Sequence, residues 1–120
     1  MASTPRMLVN TSAPPAEPRR GAIWSIDDPE RDLDSNLVRL PADEEIASHL
    51  GAEVDVLVHV VSGHGTLSTD DGETPLRVGD LVFLPRRSRR GFRAGADGLG
   101  YLTVHRRRQS LQIGSGPPGQ

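Results

Sequence analysis

Short apolar runs alternate with turn residues at roughly ten-residue intervals through the middle of the chain, the rhythm of a β-sandwich or barrel. The clearest run is Val54 to Val61, where every even position is valine and Asp55, Leu57 and His59 fall between them. Side chains of a strand alternate with period two, so this pattern predicts a strand with one all-valine face. Ser62-Gly63-His64-Gly65 stops it, and Thr66 to Thr69 is expected to return antiparallel. Asp70-Asp71-Gly72 is a hairpin turn of the Asp-Gly type, which supplies the positive φ such turns need. Leu76 to Val78 follows, then a turn at Val78-Gly79-Asp80 and a buried strand Leu81 to Leu84, closed by Pro85 because proline cannot donate to a ladder. Gly91 to Ala94 and Leu99 to His105 give the last two strands, joined across Gly95 to Gly98. Ala22 to Ile26 and Asn36 to Leu40 give the first two. One segment, Asp43 to Leu50, reads as a helix with Ile46, Ala47 and Leu50 on a face, and is short enough to be strand or loop instead.

These elements predict one all-β domain over residues 21–108. The head, residues 1–20, holds Pro5, Pro14, Pro15 and Pro18 among small polar residues and is expected to be disordered. Residues 109–120 are expected to form a flexible tail in which Leu111 and Ile113 could add a short strand.

Composition narrows the chemistry. A chain of 120 residues holds one domain and one core, and with two Phe, one Trp and one Tyr that core must be aliphatic. The absence of cysteine excludes disulfides, thiolate ligands and a cysteine nucleophile. No apolar run approaches the ~20 residues of a membrane span, and the first twenty positions lack the apolar block of a secretory signal, so no membrane partner and a cytoplasmic location are the expectations. All fourteen basic residues are arginine. Six of them stand against fifteen acids in residues 1–85 and eight against one acid in residues 86–120, leaving −9 and +7. Either the late basic strands lie beside early acidic ones and cancel, or the basic part meets an anionic partner. A nucleic acid is a poor candidate for that partner, because stacking aromatics are scarce and no reading helix is evident.

At Gly79-Asp80-Leu81-Val82-Phe83-Leu84-Pro85, followed by Gly91-Phe92, the chain resembles the second sequence motif of the cupin superfamily, which begins with Gly, five residues and Pro. Gly63, after the long strand Val54 to Val61, fills the closing glycine of the family's first motif. The resemblance covers about residues 22–108 and implies a cupin-type jelly-roll β-barrel. It departs from the family where metal is held. The motif's glutamate falls on Val56, its two histidines on His49 and Gly51, and its third histidine on Arg90, so one of four ligand positions survives. Three or four N/O ligands are the usual requirement for a transition metal. The resemblance therefore implies a cupin without the family's metal site and with no cofactor expected.

The candidate ligand-binding residues are Arg90, His49, Tyr101 and His105. Arg90 falls where the family places a residue of the pocket mouth, and a planar guanidinium suits carboxylate or phosphate. Turned inward, Arg90 needs either a ligand or an acid of the chain to face it. Tyr101, Thr103 and His105 share a strand face opposite Leu102 and Val104, and would line a pocket if that face looks inward. The expected function is binding of a small, anionic molecule. The alternative is a metal-dependent enzyme, a dioxygenase, isomerase or epimerase by family resemblance, with a divalent transition metal on a rearranged set of His49, His59 and His105. His59 lies opposite the valines, so it points outward if the valines point in. His64, between Gly63 and Gly65, reads as a solvated turn residue. The resemblance also implies a homodimer, with the strand around Trp24 the candidate for crossing to the partner.

Overall fold

The computed structural model describes residues 4–108, and these form strands with no helix. Seven strands run in chain order: β1 Gly21–Ser25, β2 Leu33–Leu40, β3 Glu45–Leu50, β4 Val56–Thr69, β5 Gly72–Arg77, β6 Leu81–Leu84 and β7 Arg89–Arg106. All pairings are antiparallel. The hydrogen-bonded path is β1-β2-β7-β4-β5, with β3 attached to β7 and β6 to β4. The path has free ends, so the jelly roll is not closed by a continuous ring of ladders.

Two long strands carry the architecture. The last part of β7, Leu99 to Arg106, pairs with β2 on one side and with Leu57 to Gly63 of β4 on the other, and β6 continues that half beyond β4. The first part of β7 pairs with β3 and with Gly65 to Ser68 of β4, and β5 continues that half. Both strands bend between the halves. Two positions of β4, Gly63 and Gly65, face Leu99 and Ala94 of β7, so Gly95 to Gly98 are surplus and loop out at the corner. Gly63 sits at φ 68°, and a Cβ there would fall on the carbonyl oxygen of Gly98, so glycine is required on both grounds. The bend brings Phe92 and Tyr101, nine residues apart on one strand, into a stack with ring centroids 4.7 Å apart and planes inclined by 19°.

The interior follows from strand alternation. Val58 and Val60 of β4 are buried while Leu57 and His59 are exposed. On β7 the even positions Arg90, Phe92 and Ala94 are buried before the bend, and the odd positions Leu99 and Tyr101 after it, because the looped-out residues switch the parity. Apart from Arg90, these residues join Leu40, Leu67, Leu76 and Leu84 in one hydrophobic cluster between the two halves.

Several local expectations need correction. Asp43 to Leu50 is not helical: from Glu45 it is β3, paired Glu45 to Arg93 and His49 to Arg90 with a bulge between. A helix of eight residues has too few internal hydrogen bonds to compete with a ladder onto β7. Thr66 to Thr69 does not return but is the last stretch of β4, and the Asp-Gly hairpin then leads into β5. Gly91 to Ala94 and Leu99 to His105 belong to one strand, β7. β6 is buried on one face only, since Leu81 and Phe83 stand outside. Apart from these corrections, the strand around Trp24, β1, pairs with β2 of its own chain and stands at an end of the hydrogen-bonded path. Residues 4–20 form no strand or helix, and Arg39 fastens their end by donating to the carbonyls of Pro15 at 2.9 Å, Ala16 at 3.4 Å and Pro18 at 3.2 Å. The expected short strand at Leu111 and Ile113 lies outside the described residues. No helix among the described residues is long and apolar enough to cross a membrane.

Candidate functional site

Between the two halves lies a cavity of about 480 Å³, within the ~300–1,000 Å³ of small-molecule sites. One wall is the valine face, Val54, Val56 and Val58, with Leu84 of the neighbouring β6. Phe92 and Tyr101 line it from the stacked pair. Asn36, Thr103, His49, His105, Arg90 and Arg108 supply its polar groups.

Among the described residues Arg90 is the charged side chain most removed from water, 4% exposed. It arrives inside because it alternates with Arg89 on β7 and stands directly opposite His49 on β3, which places both side chains on the inner face. Its surroundings are built to receive it. Pro85 to Ser88 make a tight turn in which the Ser88 amide and hydroxyl both donate to the Pro85 carbonyl, at 3.1 and 2.6 Å. The turn is fastened to the segment after β3, with the Gly51 amide donating to Ser88 O at 2.9 Å and the Arg87 amide to Ala52 O at 2.8 Å. Arg87 adopts φ 58° to make this possible. The Arg90 guanidinium lies against Gly51, where any Cβ would collide with it. Arg90 Nη2 donates to Pro85 O and Ser88 Oγ, each at 3.3 Å. Arg90 Nε is buried with no hydrogen-bond partner, and no carboxylate among the described residues pairs with the side chain. Burial lowers the Arg90 pKa from the ordinary guanidinium value by penalising the charged form, although arginine stays protonated in proteins.

The other basic residues of the turn behave differently. Arg86 and Arg87 face Asp55 at 3.7 Å and Glu53 at 3.3 Å across the surface. Late arginines and early acids thus cancel there, while Arg90 is left inside.

The histidines divide. His49 and His105 line the cavity. In each the Nδ1 atom lies on a backbone carbonyl, Ala47 O at 3.0 Å and Arg106 O at 2.8 Å. A carbonyl only accepts, so Nδ1 carries the proton and Nε2 is the ring atom able to meet a ligand. His59 is outside, between Leu81 of β6 and Leu102 of β7, so the set His49, His59 and His105 does not converge. His64 lies 3.7 Å from Asp97 on the surface. Tyr101 is buried, and burial pushes its phenol pKa up.

Tyr101 and Thr103 face inward because their register partners on β4 are the inward valines, Val60 opposite Tyr101 and Val58 opposite Thr103, and His105 follows on the same face and lines the cavity. Residues 36–105 match the family model of the cupin domain, more than half of the chain. The chain belongs to the cupins. Among solved structures this cupin is similar to KdgF from Halomonas sp., with 18% identity and a TM-score of 0.69 over 88% of this chain and 96% of that one. It is similar to a cupin protein from Bacteroides fragilis, with 21% identity and a TM-score of 0.68 over 93% and 91% of the two chains. A sugar phosphate isomerase of the cupin superfamily from Silicibacter pomeroyi is 26% identical, with a TM-score of 0.58, over 65% of this chain and 52% of its own. No curated protein matches the chain.

The residues of this cavity do not fit the metal implied by the family. Val56 lines the wall where the family pattern has glutamate, Gly51 and Arg90 occupy two histidine positions, and no group of three or more His, Asp or Glu able to hold an ion occurs among the described residues. Sequence reasoning missed Phe92 and Arg108 as lining residues and Gly51 as the space for the guanidinium. Phe92 had a signal, its two-residue spacing from Arg90.

Proposed function

We propose that this cupin binds a small anionic molecule in its cavity, with Arg90 as the counter-charge and without the metal site of the family. The observation that carries the reading is a guanidinium 4% exposed, lining an apolar cavity, with Nε unpartnered and no acid of the chain beside it among the described residues. A buried ion without a counter-charge destabilises the fold, so its presence in a wall built to hold it points to a ligand that completes the pair. The similarity to a sugar phosphate isomerase, an enzyme whose substrate is anionic, agrees in charge.

Thermal-shift measurements with acetate, benzoate, inorganic phosphate and glucose 6-phosphate test it. A ligand of the folded state raises Tm in the wild type and not in Arg90→Ala. Equal responses from the two proteins remove Arg90 from the site.

A competing reading, a metal-dependent enzyme, is favoured by one feature, the presence of His49 and His105 in the lining of the same cavity, each with Nδ1 engaged on a backbone carbonyl. Elemental analysis of protein purified without a His tag separates the two. Stoichiometric transition metal, lost in His49→Ala, would establish the metal reading in place of the anion site.

A further inference from the structure

We infer that the ligand is a carboxylic acid with an apolar, ring-bearing body, and not a phosphate ester or a polyhydroxylated sugar. The inference rests on the anion-binding reading and goes beyond it to the ligand's chemical class.

The cavity's polar groups are largely engaged within the chain. Thr103 Oγ1 accepts from the Asn36 amide at 3.2 Å and donates to Asn36 O at 3.4 Å. Asn36 Oδ1 accepts from Ser25 Oγ at 2.6 Å. His49 and His105 each spend Nδ1 on a backbone carbonyl, and Arg108 has an interaction of its own. A sugar brings several hydroxyls, each of which must exchange water for a protein partner or lose a hydrogen bond on entry. What remains beside Arg90, chiefly Nε2 of His49 and of His105 and the Asn36 side-chain NH2, is too few for that exchange. A phosphate ester brings up to two charges and three strong acceptor oxygens, and proteins meet such groups with several convergent amides or a helix N-terminus. The described part of this chain has no helix, and Arg90 lines the cavity as a buried cation with no carboxylate beside it among the described residues.

What the cavity does offer matches an apolar acid. A carboxylate carries one charge and is planar, as the guanidinium is. Phe92 is two residues from Arg90 on the same face of β7, ~7 Å along the strand. The stack of Phe92 on Tyr101 and the Val54, Val56 and Val58 wall then receive the ring.

Calorimetric titration of the full chain with phenylacetate, phenylacetamide, phenyl phosphate and glucose 6-phosphate tests the assignment. Phenylacetate is expected to bind at least tenfold more tightly than each of the others, and at least tenfold more tightly to wild type than to Arg90→Gln. Tighter binding of phenyl phosphate or glucose 6-phosphate, lost in Arg90→Gln, would overturn the carboxylate assignment while leaving the anion reading intact. Binding of phenylacetamide as tight as phenylacetate, or of no probe at all, would overturn both. The comparison of acid with amide uses wild-type protein alone, so it stands even if the Arg90 variant misfolds.

Discussion

Replacing Arg90 by methionine should make the ligand-free protein more stable. The side chain is 4% exposed and has no carboxylate beside it among the described residues. Its Nε is a buried donor with no acceptor, an omission that costs about 1–3 kcal/mol. Holding the ion away from water without a counter-charge adds to that cost. The variant gives up the two Nη2 hydrogen bonds, at 3.3 Å each, which at that length are worth about 2 kcal/mol together. It does not orphan the Pro85 carbonyl, which keeps the Ser88 hydroxyl and amide at 2.6 and 3.1 Å. Methionine is unbranched and flexible enough to fill the slot beside Gly51. The balance favours Arg90→Met by about 1–2 kcal/mol, or roughly 4–8 °C in Tm for a domain of this size. The assay is urea unfolding followed by the fluorescence of the single tryptophan, with a thermal melt, in buffer free of phosphate and carboxylates. A ligand at one hundred times its Kd adds about 2.7 kcal/mol to wild type alone and so reverses the order. A loss of more than about 1 kcal/mol in Arg90→Met at unchanged m-value would refute the reasoning, because the guanidinium would then have a stabilising partner in the free protein.

Gly51→Ala should leave stability within about 1 kcal/mol, because the group its Cβ meets is the end of a flexible side chain, yet should weaken ligand binding at least tenfold in the same titration by displacing the guanidinium. Above pH ~10 the protein should lose up to about 1.4 kcal/mol of stability per pH unit, and Tyr101→Phe should flatten that slope. The folded Tyr101 pKa is raised, so its contribution is complete below the unfolded value and is lost as pH rises toward the folded one. With a single Tyr and neither Lys nor Cys, few other groups titrate there. We expect a second copy to cover the outer face of β4 and β6, where Leu57, Leu81 and Phe83 are 43%, 66% and 58% exposed. Light scattering should give twice the chain mass for wild type and one chain mass for Leu81→Lys with Phe83→Lys, and a monomeric wild type would refute the pairing.

Local alternation made the inner face of β4 legible, since Val56, Val58 and Val60 allow one orientation. The Asp-Gly hairpin, the turn at Gly79 and the stop at Pro85 were legible because each is decided by the φ or the missing donor of one residue. The direction of β7 was not. On composition Leu102 and Val104 form its apolar face, yet they lie on the outer face, beside His59 and Leu57. Tyr101 and Thr103 are inside because β7 takes its register from β4, more than forty residues earlier, and no local window contains that information. Gly63 misled for a related reason. It reads as a strand end, but its positive φ serves a bend within β4 that the opposing Gly95 to Gly98 loop makes necessary. β3 was misread because its partner strand, not its own propensity, decides its conformation.

The three departures from the family's metal positions are parts of one change. Gly51 and Arg90 are in contact, and the guanidinium fits only because position 51 has no side chain. Val56 removes the carboxylate that would otherwise be available inside the same cavity. A glutamate there would offer Arg90 a counter-charge from the chain and so compete with any acid from solution. The valine leaves the arginine unpaired in a wall that is otherwise apolar, at a cost to the free protein. A cation in this cavity would be repelled by Arg90 and would find no carboxylate among the described residues to offset it. An anion meets neither obstacle. On the anion-binding proposal, Gly51, Val56 and Arg90 together reverse the charge preference of the cavity, and restoring one family residue, as in Val56→Glu, should silence anion binding without recreating a site for metal.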